Sequence, residues 1–334
     1  MVSAVIFVAT SCVSPLTGFA FWETNLAYEG ESIYNYLQVK NLSDRTILST
    51  NVLFGVQSVT MKDKGLTGMY YDTALAAPAL ADNADSALIL GMGTGTYARQ
   101  LKQYYPKMNI TGVEIDQKIT DLAGEYFDEP ADIPVTTYDG RAWLAASYDK
   151  YDVIMVDAYQ DITIPFQMSS TEFFTMVREH LNPGGVMVVN MNMISDGQGS
   201  INEALSDTIA SVFGNGNTLT ADVPNTTNRE LFAKKPGSGS EENSMQQASK
   251  ALNLRETTYE RTGSEDLEWY MEEVASRFRK VNEPDSASTI LTDDKAPVEV
   301  LGMHAIDQII ADEAGPYRQI LKDEGFGGLL RAVQ

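Results

Sequence analysis

Two hydrophobic patterns follow one another along this chain of 334 residues. Residues 29–60 alternate between apolar and polar positions and are rich in β-branched side chains, which is typical of half-buried strands. The turn residues of "KNLSDR" separate two such stretches, "SIYNYLQV" and "TILSTNVLFGVQSVTM". This part of the chain is therefore predicted to form a small antiparallel sheet.

From about residue 70, short apolar runs alternate with segments of helical spacing. The predicted strands are 87–90, 110–115, 134–137, 151–157 and 185–190, with a late strand in "RELFAKK" at 229–235. The predicted helices between them are 96–105, 117–127, 141–147 and 170–181. Strands that alternate with helices in this way favour a parallel, doubly wound α/β sheet.

The changes in pattern predict four parts of the chain. They are an uncharged segment at 1–22, a β domain at 23–66, a nucleoside-binding Rossmann domain at 67–236 and a C-terminal helical extension at 237–334. A loop rich in glycine and serine at 234–243 precedes the extension. Within the extension, a helix is predicted at 266–281 and an extended piece that returns to the core at 289–301.

Composition excludes several classes of function. The net charge of −22 argues against nucleic acid as a partner, because phosphate binding needs a basic face. The same charge would attract a cationic substrate. The alternative is that the acidic surface only increases solubility. The single cysteine, Cys12, excludes an internal disulfide bond. With only His180 and His304 besides, no metal site is expected.

The first residues of the chain carry no charge from Val2 to Trp22. A run of this length is long enough to span a bilayer. We therefore expect residues 2–22 to associate with a membrane, with the remaining domains in the cytoplasm. The alternative is a buried or disordered segment on a cytoplasmic protein.

A glycine turn stands between a predicted strand and a predicted helix in "ALILGMGTGTYARQL". Gly91, Gly93 and Gly95 occupy alternate positions there. Small residues let a backbone approach a ligand, and a helix start offers free N–H donors, so this arrangement is typical of nucleotide binding. Phosphate-transfer chemistry is not indicated, because no Gly-Lys-Ser/Thr sequence follows the glycines.

Three acids follow successive predicted strands. Glu114 lies about 20 residues after the glycines, where a carboxylate binds ribose hydroxyls. Asp139 can accept from an adenine amine, and Gly140 beside it allows close approach. Asp157 closes the fourth strand, and ligands of doubly wound sheets lie beyond such strand ends. NAD is an open alternative, although the sequence offers no evident partner for hydride transfer.

The order of these pieces resembles the spermidine synthases, the polyamine aminopropyltransferases, and especially the bacterial domains of that kind fused to membrane segments. The resemblance runs from about residue 31 to 193 and includes "ESIYNYLQV", "YYDTALAAPAL", "ALILGMGTGT", "GVEID", "YDG" and "YDVIMVDAY". It implies a β-rich N-terminal domain before a methyltransferase-like Rossmann domain. It also implies a transferase of polyamine biosynthesis that acts on a small amine, and a homodimer is a further expectation.

The resemblance implies decarboxylated S-adenosylmethionine or S-adenosylmethionine as co-substrate, without a metal. The glutamine at the cofactor edge of the N-terminal sheet is matched by Gln57, and the ribose-binding acid by Glu114. The positions expected to contact the co-substrate are Gln57, Gly91, Gly93, Thr94, Gly95, Glu114, Ile115, Asp139 and Gly140.

The chain departs from the family pattern where the amine would bind. Thr94 replaces the acid that grips the amino end of the co-substrate. The family's Tyr-His-Glu reads Tyr70-Tyr71-Asp72, and its Asp-Ser-x-Asp-Pro becomes "DAYQDITIP". The nucleoside half of the site is thus retained and the polyamine half is altered.

Specific roles follow for the residues of the altered half. Catalytic roles are expected for Asp157, which deprotonates and holds the acceptor amine, and for Asp161 and Tyr70; substrate-binding roles are expected for Tyr71, Asp72 and Tyr159. Two alternatives stay open, an S-adenosylmethionine-dependent methyltransferase and a non-catalytic nucleoside-sensing domain on a membrane segment.

Overall fold

The computed structural model describes residues 23–51, 56–128, 130, 132–158, 164–191, 199–237, 254–286, 288–303 and 322. The predicted membrane segment, together with Tyr159 and Asp161 of the predicted site, lies outside these residues. Within the described ranges, no helix combines the length and the apolar character needed to cross a membrane.

The N-terminal residues form the antiparallel sheet that the alternating pattern predicts. Its four strands are β1 (Leu26–Glu31), β2 (Tyr36–Asn41), β3 (Arg45–Thr50) and β4 (Ser58–Met61). They pair in chain order, so each strand contacts its neighbours in the sequence. The prediction of a small N-terminal β domain is confirmed.

A second sheet has eight strands in the order β12-β10-β11-β9-β8-β5-β6-β7. They are β5 (Ser86–Leu90), β6 (Asn109–Glu114), β7 (Val135–Thr137), β8 (Tyr151–Val156), β9 (Leu181–Met191), β10 (Thr218–Asp222), β11 (Arg229–Lys234) and β12 (Phe278–Lys280). The strands from β9 to β7 are parallel, and β11, β10 and β12 add antiparallel pairs at one edge. The predicted doubly wound sheet is thus confirmed.

Helices cover both faces of the larger sheet. They are α1 (Tyr70–Ala74), α2 (Ala76–Leu80), α3 (Thr96–Tyr104), α4 (Gln117–Tyr126), α5 (Gly140–Ala146), α6 (Thr171–His180), α7 (Ile201–Phe213), α8 (Leu254–Thr262) and α9 (Glu265–Ser276). Met155 packs in one core cluster with Tyr97 of α3, whereas Ile154 packs in the other with Phe173 of α6. Burial on both faces explains why these strands read as continuous apolar runs in the sequence.

The C-terminal part differs from its prediction in one element. The helix predicted at 266–281 ends at Ser276, and Phe278–Lys280 forms β12 instead. This strand pairs with β10, whose outer edge would otherwise leave backbone groups without partners. Leu291, in the piece predicted to return to the core, is buried and hydrogen-bonds through its backbone to Thr208 and Thr171.

The two sheets meet beside the glycine turn. Leu37 and Leu48 of the N-terminal sheet pack against Leu122 of α4 in one apolar cluster. Thr96, the first residue of α3, accepts a hydrogen bond from the Val59 N–H at 3.0 Å and its hydroxyl lies 2.8 Å from the Val59 carbonyl, to which it donates. These contacts fix β4 against the turn that follows β5.

Thr96→Val should weaken this junction. The substitution keeps the shape of the side chain but leaves the buried N–H of Val59 without its partner, at a cost of about 1–3 kcal/mol in the free energy of unfolding. Urea unfolding of the purified chain measures this loss. Thr136→Val, at an exposed position of β7, is the matched control and should change stability by less than about 0.5 kcal/mol. Equal stability of the two variants would contradict the assigned role of the junction.

Candidate active site

The strand register places the site residues in one row at the carboxyl edge of the larger sheet. Leu90 pairs with Val113 on one side and with Val156 on the other, and Val156 pairs with Val189. The residues that follow these four positions are Gly91, Glu114, Asp157 and Asn190, so they lie side by side across the sheet. Neighbouring strands are about 4.8 Å apart, which sets the spacing of the row.

A cavity of about 270 Å³ lies above this row, between the two sheets. Most of the predicted co-substrate positions line it, namely Gln57, Gly91, Gly93, Glu114, Ile115, Asp139 and Gly140. Tyr70, Tyr71 and Asp157 line it as well. The structure therefore gathers residues from β4, α1 and the ends of the parallel strands around one space.

The glycine turn allows this close approach of backbone segments. Gly91 has φ +88°, and a Cβ there would lie 2.3 Å from the carbonyl oxygen of Asp157. Gly93 has φ +56°, and a Cβ there would lie 2.7 Å from the Ser58 hydroxyl. Both positions combine a left-handed backbone with a steric limit, which only glycine satisfies without strain.

Glu114 is held rigidly beside the turn. Its carboxylate accepts hydrogen bonds from the N–H of Gly93 at 2.8 Å and from the N–H of Asp116 at 3.0 Å. Burial raises the pKa of Glu114, and these backbone hydrogen bonds oppose the rise. Each oxygen keeps a further lone pair, so the group can also accept hydrogen bonds from ligand hydroxyls.

Asp139 serves the fold as well as the cavity. It caps the start of α5 by accepting a hydrogen bond from the Ala142 N–H at 2.7 Å. At Gly140, a Cβ would meet Met168 at 3.6 Å, an ordinary contact distance. The missing side chain at Gly140 therefore leaves space in the cavity and is not required by the surrounding protein atoms.

Asp157 stands at the head of a chain of hydrogen bonds. One of its oxygens accepts from the Asn190 amide at 3.0 Å, and the other lies 2.7 Å from the Tyr70 hydroxyl. The Tyr70 hydroxyl is 2.7 Å from the Tyr71 hydroxyl, which is 2.7 Å from the Gln57 carbonyl oxygen. This chain of hydrogen bonds thus joins the larger sheet, α1 and the residue that precedes β4.

The number of hydroxyl protons limits which of these hydrogen bonds can form at the same time. Each tyrosine hydroxyl has one proton to donate. If Tyr71 donates to Gln57 and Tyr70 donates to Tyr71, then all three contacts are satisfied only when Asp157 itself donates to Tyr70. If Asp157 is ionised, Tyr70 donates to it, and Tyr71 must choose between Tyr70 and Gln57. All three contacts can thus be hydrogen bonds when Asp157 is protonated, whereas ionised Asp157 takes the Tyr70 proton and leaves Tyr71 one contact short.

The surroundings of Asp157 place its titration near neutral pH. Burial, and to a smaller extent the charge of Glu114, raise its pKa to about 7 against the opposing effect of hydrogen bonds from Asn190 and Tyr70. Burial raises the pKa of Tyr71 as well, so both hydroxyls of the pair stay protonated when Asp157 changes charge. Asp157 has the properties of a general base that works near pH 7.

Several predicted residues are not brought to the cavity. Thr94 is fully buried, and Gly95 lies at the start of α3 with φ 82°. Asp72 is buried, and its carboxylate closes a turn by accepting from the N–H and hydroxyl of Thr67 and the N–H of Gly68. These contacts orient the Asp72 carboxylate into the turn that precedes α1.

Other residues of the site were not identified from the sequence. Asn190 is the last residue of a predicted strand, and this position at a strand end is the signal that the sequence offers. Tyr34 lines the cavity from the turn between β1 and β2, where no pattern points to a site. That turn is fixed by Asp116, which accepts from the Ser32 hydroxyl at 2.6 Å and from the Asn35 amide at 3.0 Å.

Comparison with known proteins identifies relatives of this arrangement. A family model described as the spermine/spermidine synthase domain matches residues 70–235. A probable polyamine aminopropyl transferase of Bifidobacterium longum is 99% identical over all 334 residues, which are 75% of that protein. A polyamine aminopropyltransferase of Vibrio vulnificus is 28% identical over 209 residues, 60% of this chain and 69% of that protein.

Solved structures share the fold at low sequence identity. A probable spermidine synthase from Corynebacterium glutamicum aligns with a TM-score of 0.55 and 21% identity, covering 80% of this chain and 99% of that one. A spermidine synthase in complex with the transition-state analogue AdoDATO aligns with a TM-score of 0.54 and 18% identity, covering 78% and 85%. With the near-identical relative, these findings show that the chain belongs to the spermine/spermidine synthase family of polyamine aminopropyltransferases.

Proposed function

We propose that this chain transfers an aminopropyl group from decarboxylated S-adenosylmethionine to a small amine. The observation that carries the proposal is the row of residues at the sheet edge. In this row Glu114, an acid placed to bind ribose hydroxyls, lies two strands from Asp157, a buried acid with a pKa of about 7. The activity named for the relatives supports the same reaction.

The lining of the cavity fits the nucleoside part of the donor. Gly91 and Gly93 keep side chains away from the turn, and Glu114 offers fixed lone pairs beside it. Asp139 and Gly140 stand at the next strand end, with space above the glycine. We assign the ribose to Glu114 and the adenine to the Asp139–Gly140 pair.

The charges of the lining favour the decarboxylated donor over S-adenosylmethionine itself. Glu114, Asp139 and Asp157 are the ionisable acids among the described lining residues, and none of these residues is a lysine or arginine. A donor that kept its α-carboxylate would bring a further negative charge to this lining without a cation to balance it. The decarboxylated donor instead carries a free ammonium group that this lining attracts.

In the reaction, a neutral amine forms a bond to the carbon next to the sulfonium, and the carbon–sulfur bond breaks with its electrons going to sulfur. The acceptor enters as an ammonium ion and must first lose a proton. We assign Asp157 as the group that takes this proton, because its pKa of about 7 leaves it ionised just above neutral pH. Tyr70 orients the carboxylate by donating to it.

Asp157→Asn should separate binding from chemistry. An asparagine amide can donate to Tyr70 as the protonated carboxyl does, so the hydrogen-bond chain and the affinity for 5′-methylthioadenosine should be kept. Transfer activity should fall by about 10²–10⁴-fold, the typical effect of losing one acid–base group. Calorimetry and product formation with putrescine, spermidine and cadaverine as acceptors provide the two measurements.

Glu114→Ala is the reciprocal variant for the same assays. It should weaken 5′-methylthioadenosine binding by about 1–3 kcal/mol, because polar partners are left unpaired. Turnover of Asp157→Asn at the wild-type rate would remove Asp157 from the mechanism. Methyl transfer without aminopropyl transfer by the wild-type chain would overturn the proposed reaction.

Tyr71→Phe should shift the pH dependence of transfer. Without the Tyr71 oxygen, Tyr70 keeps Asp157 as its acceptor in the chain, which favours the ionised carboxylate and lowers the pKa of Asp157. Activity rises as Asp157 ionises, so the acidic limb of kcat/KM should move by about 0.5–1 pH unit to lower pH, the equivalent of one hydrogen bond.

The matched control for this shift is Tyr97→Phe. Tyr97 is another buried tyrosine, and its hydroxyl donates to the Ala74 carbonyl, outside the chain that reaches Asp157. Its pH profile should coincide with that of the wild type. A profile of Tyr71→Phe that also coincides with the wild type would show that the tyrosine pair does not influence Asp157.

A further inference from the structure

The row of site residues continues beyond Asp157 to a second buried acid. Glu230 of β11 pairs directly with Asn190 of β9, whose amide donates to Asp157. Side chains of directly paired residues lie on the same face of a sheet. Glu230 therefore stands two strands from Asp157 on one side, as Glu114 stands two strands away on the other.

The carboxyl group of Glu230 has no ordinary structural explanation. It is 0% exposed, and neither oxygen has a hydrogen-bond partner among the described residues. Buried polar groups in native proteins are almost always paired, and an exception often marks a catalytic role or a missing ligand. An apolar side chain at this position would avoid the cost of burying a carboxyl without partners.

Among the described residues, the charged group that influences Glu230 is an acid. This acid is Asp157, directly after β8, and Tyr97 of α3 and Asn190 of β9 are uncharged polar groups near Glu230. Helix α1, which bears Tyr70, packs across β11. Burial, and after it the charge of Asp157, raise the pKa of Glu230, so both favour the protonated form.

We propose that Glu230 is a positioning residue that holds a reserve negative charge for the amine site, neutral beside ionised Asp157 and ionised when a cationic amine binds there. The inference rests on the proposed function, because it requires a cationic acceptor beside Asp157. The charge of the bound cation favours ionised Glu230 against burial and against the charge of Asp157, Glu230 loses its proton to the solvent, and the second negative charge strengthens amine binding.

The proposal makes amine binding release a proton from Glu230. The test is calorimetric titration of putrescine into the full chain saturated with 5′-methylthioadenosine, at about pH 8, where Asp157 has already lost its proton. Buffers of different ionisation enthalpy give the number of protons released per putrescine bound. Glu230→Gln should release fewer protons than the wild type, by up to about half a proton per putrescine for a coupling of about one pKa unit, because the amide cannot ionise.

The same variant should bind putrescine about tenfold more weakly, as expected for charges about 10 Å apart at an effective dielectric constant of about 20. Glu230→Asp keeps an ionisable group and should retain the proton release. Asp152→Asn is the control for burial alone. Asp152 is a buried acid near the amino end of β8, at the opposite edge of the same sheet, and it accepts hydrogen bonds from Ser86 and Asn182. Its proton release should equal that of the wild type.

Two results would overturn the proposal, and they differ in what else they affect. If Glu230→Gln and the wild type both bind putrescine and release the same number of protons, Glu230 does not hold a reserve charge, and the proposed reaction is unaffected. Failure of the wild type to bind putrescine, spermidine or cadaverine beside 5′-methylthioadenosine would overturn both, and would place the error in the assigned acceptor.

Discussion

Ionising a buried carboxyl group at the edge of a parallel sheet costs free energy, and the site depends on the groups that offset this free energy at Asp157. Burial opposes the charge, and Asn190 and Tyr70 stabilise it by donating to the two oxygens. The balance leaves the pKa at about 7, so a small change in the surroundings changes the charge. Between about pH 4 and 7 the folded chain binds this proton more tightly than the unfolded chain, so the contribution of Asp157 to stability falls as pH rises through this range. The protein thus gives up some stability to keep an acid–base group ready near neutral pH.

The N-terminal sheet completes the site from above. Asp116 fixes the β1–β2 turn, and Thr96 fixes β4 beside the glycine turn. These two attachments place Tyr34 and Gln57 over the row of residues at the strand ends. Because Gln57 accepts from Tyr71, the position of this sheet is connected through Tyr70 to the charge of Asp157. The contact between the sheets therefore has a chemical consequence as well as a structural one.

The sequence predicts the parallel half of the site well, because the relevant signals are local. Gly91, Glu114 and Asp157 each end an apolar run, and strand ends of a parallel sheet meet at one edge. The antiparallel half escapes prediction for a physical reason. Glu230 lies in a segment correctly predicted as a strand, but its position beside Asn190 follows from a long-range pairing that no local pattern records. Asp72 shows the converse limit, since the resemblance identifies its place in the Tyr70–Asp72 motif but not the orientation of its carboxylate into the Thr67 turn.

The central claim is that Asp157 carries a proton below about pH 7 and loses it just above. The most direct measurement is a carbon NMR titration of the full chain with labelled aspartate carboxyl groups, compared with Asp157→Asn. We expect one aspartate resonance that titrates with a midpoint near 7 and is missing from the variant. If the Asp157 resonance shows instead that the carboxyl group stays ionised down to about pH 4, the ordinary range of an exposed aspartate, Asp157 does not hold a proton near neutral pH.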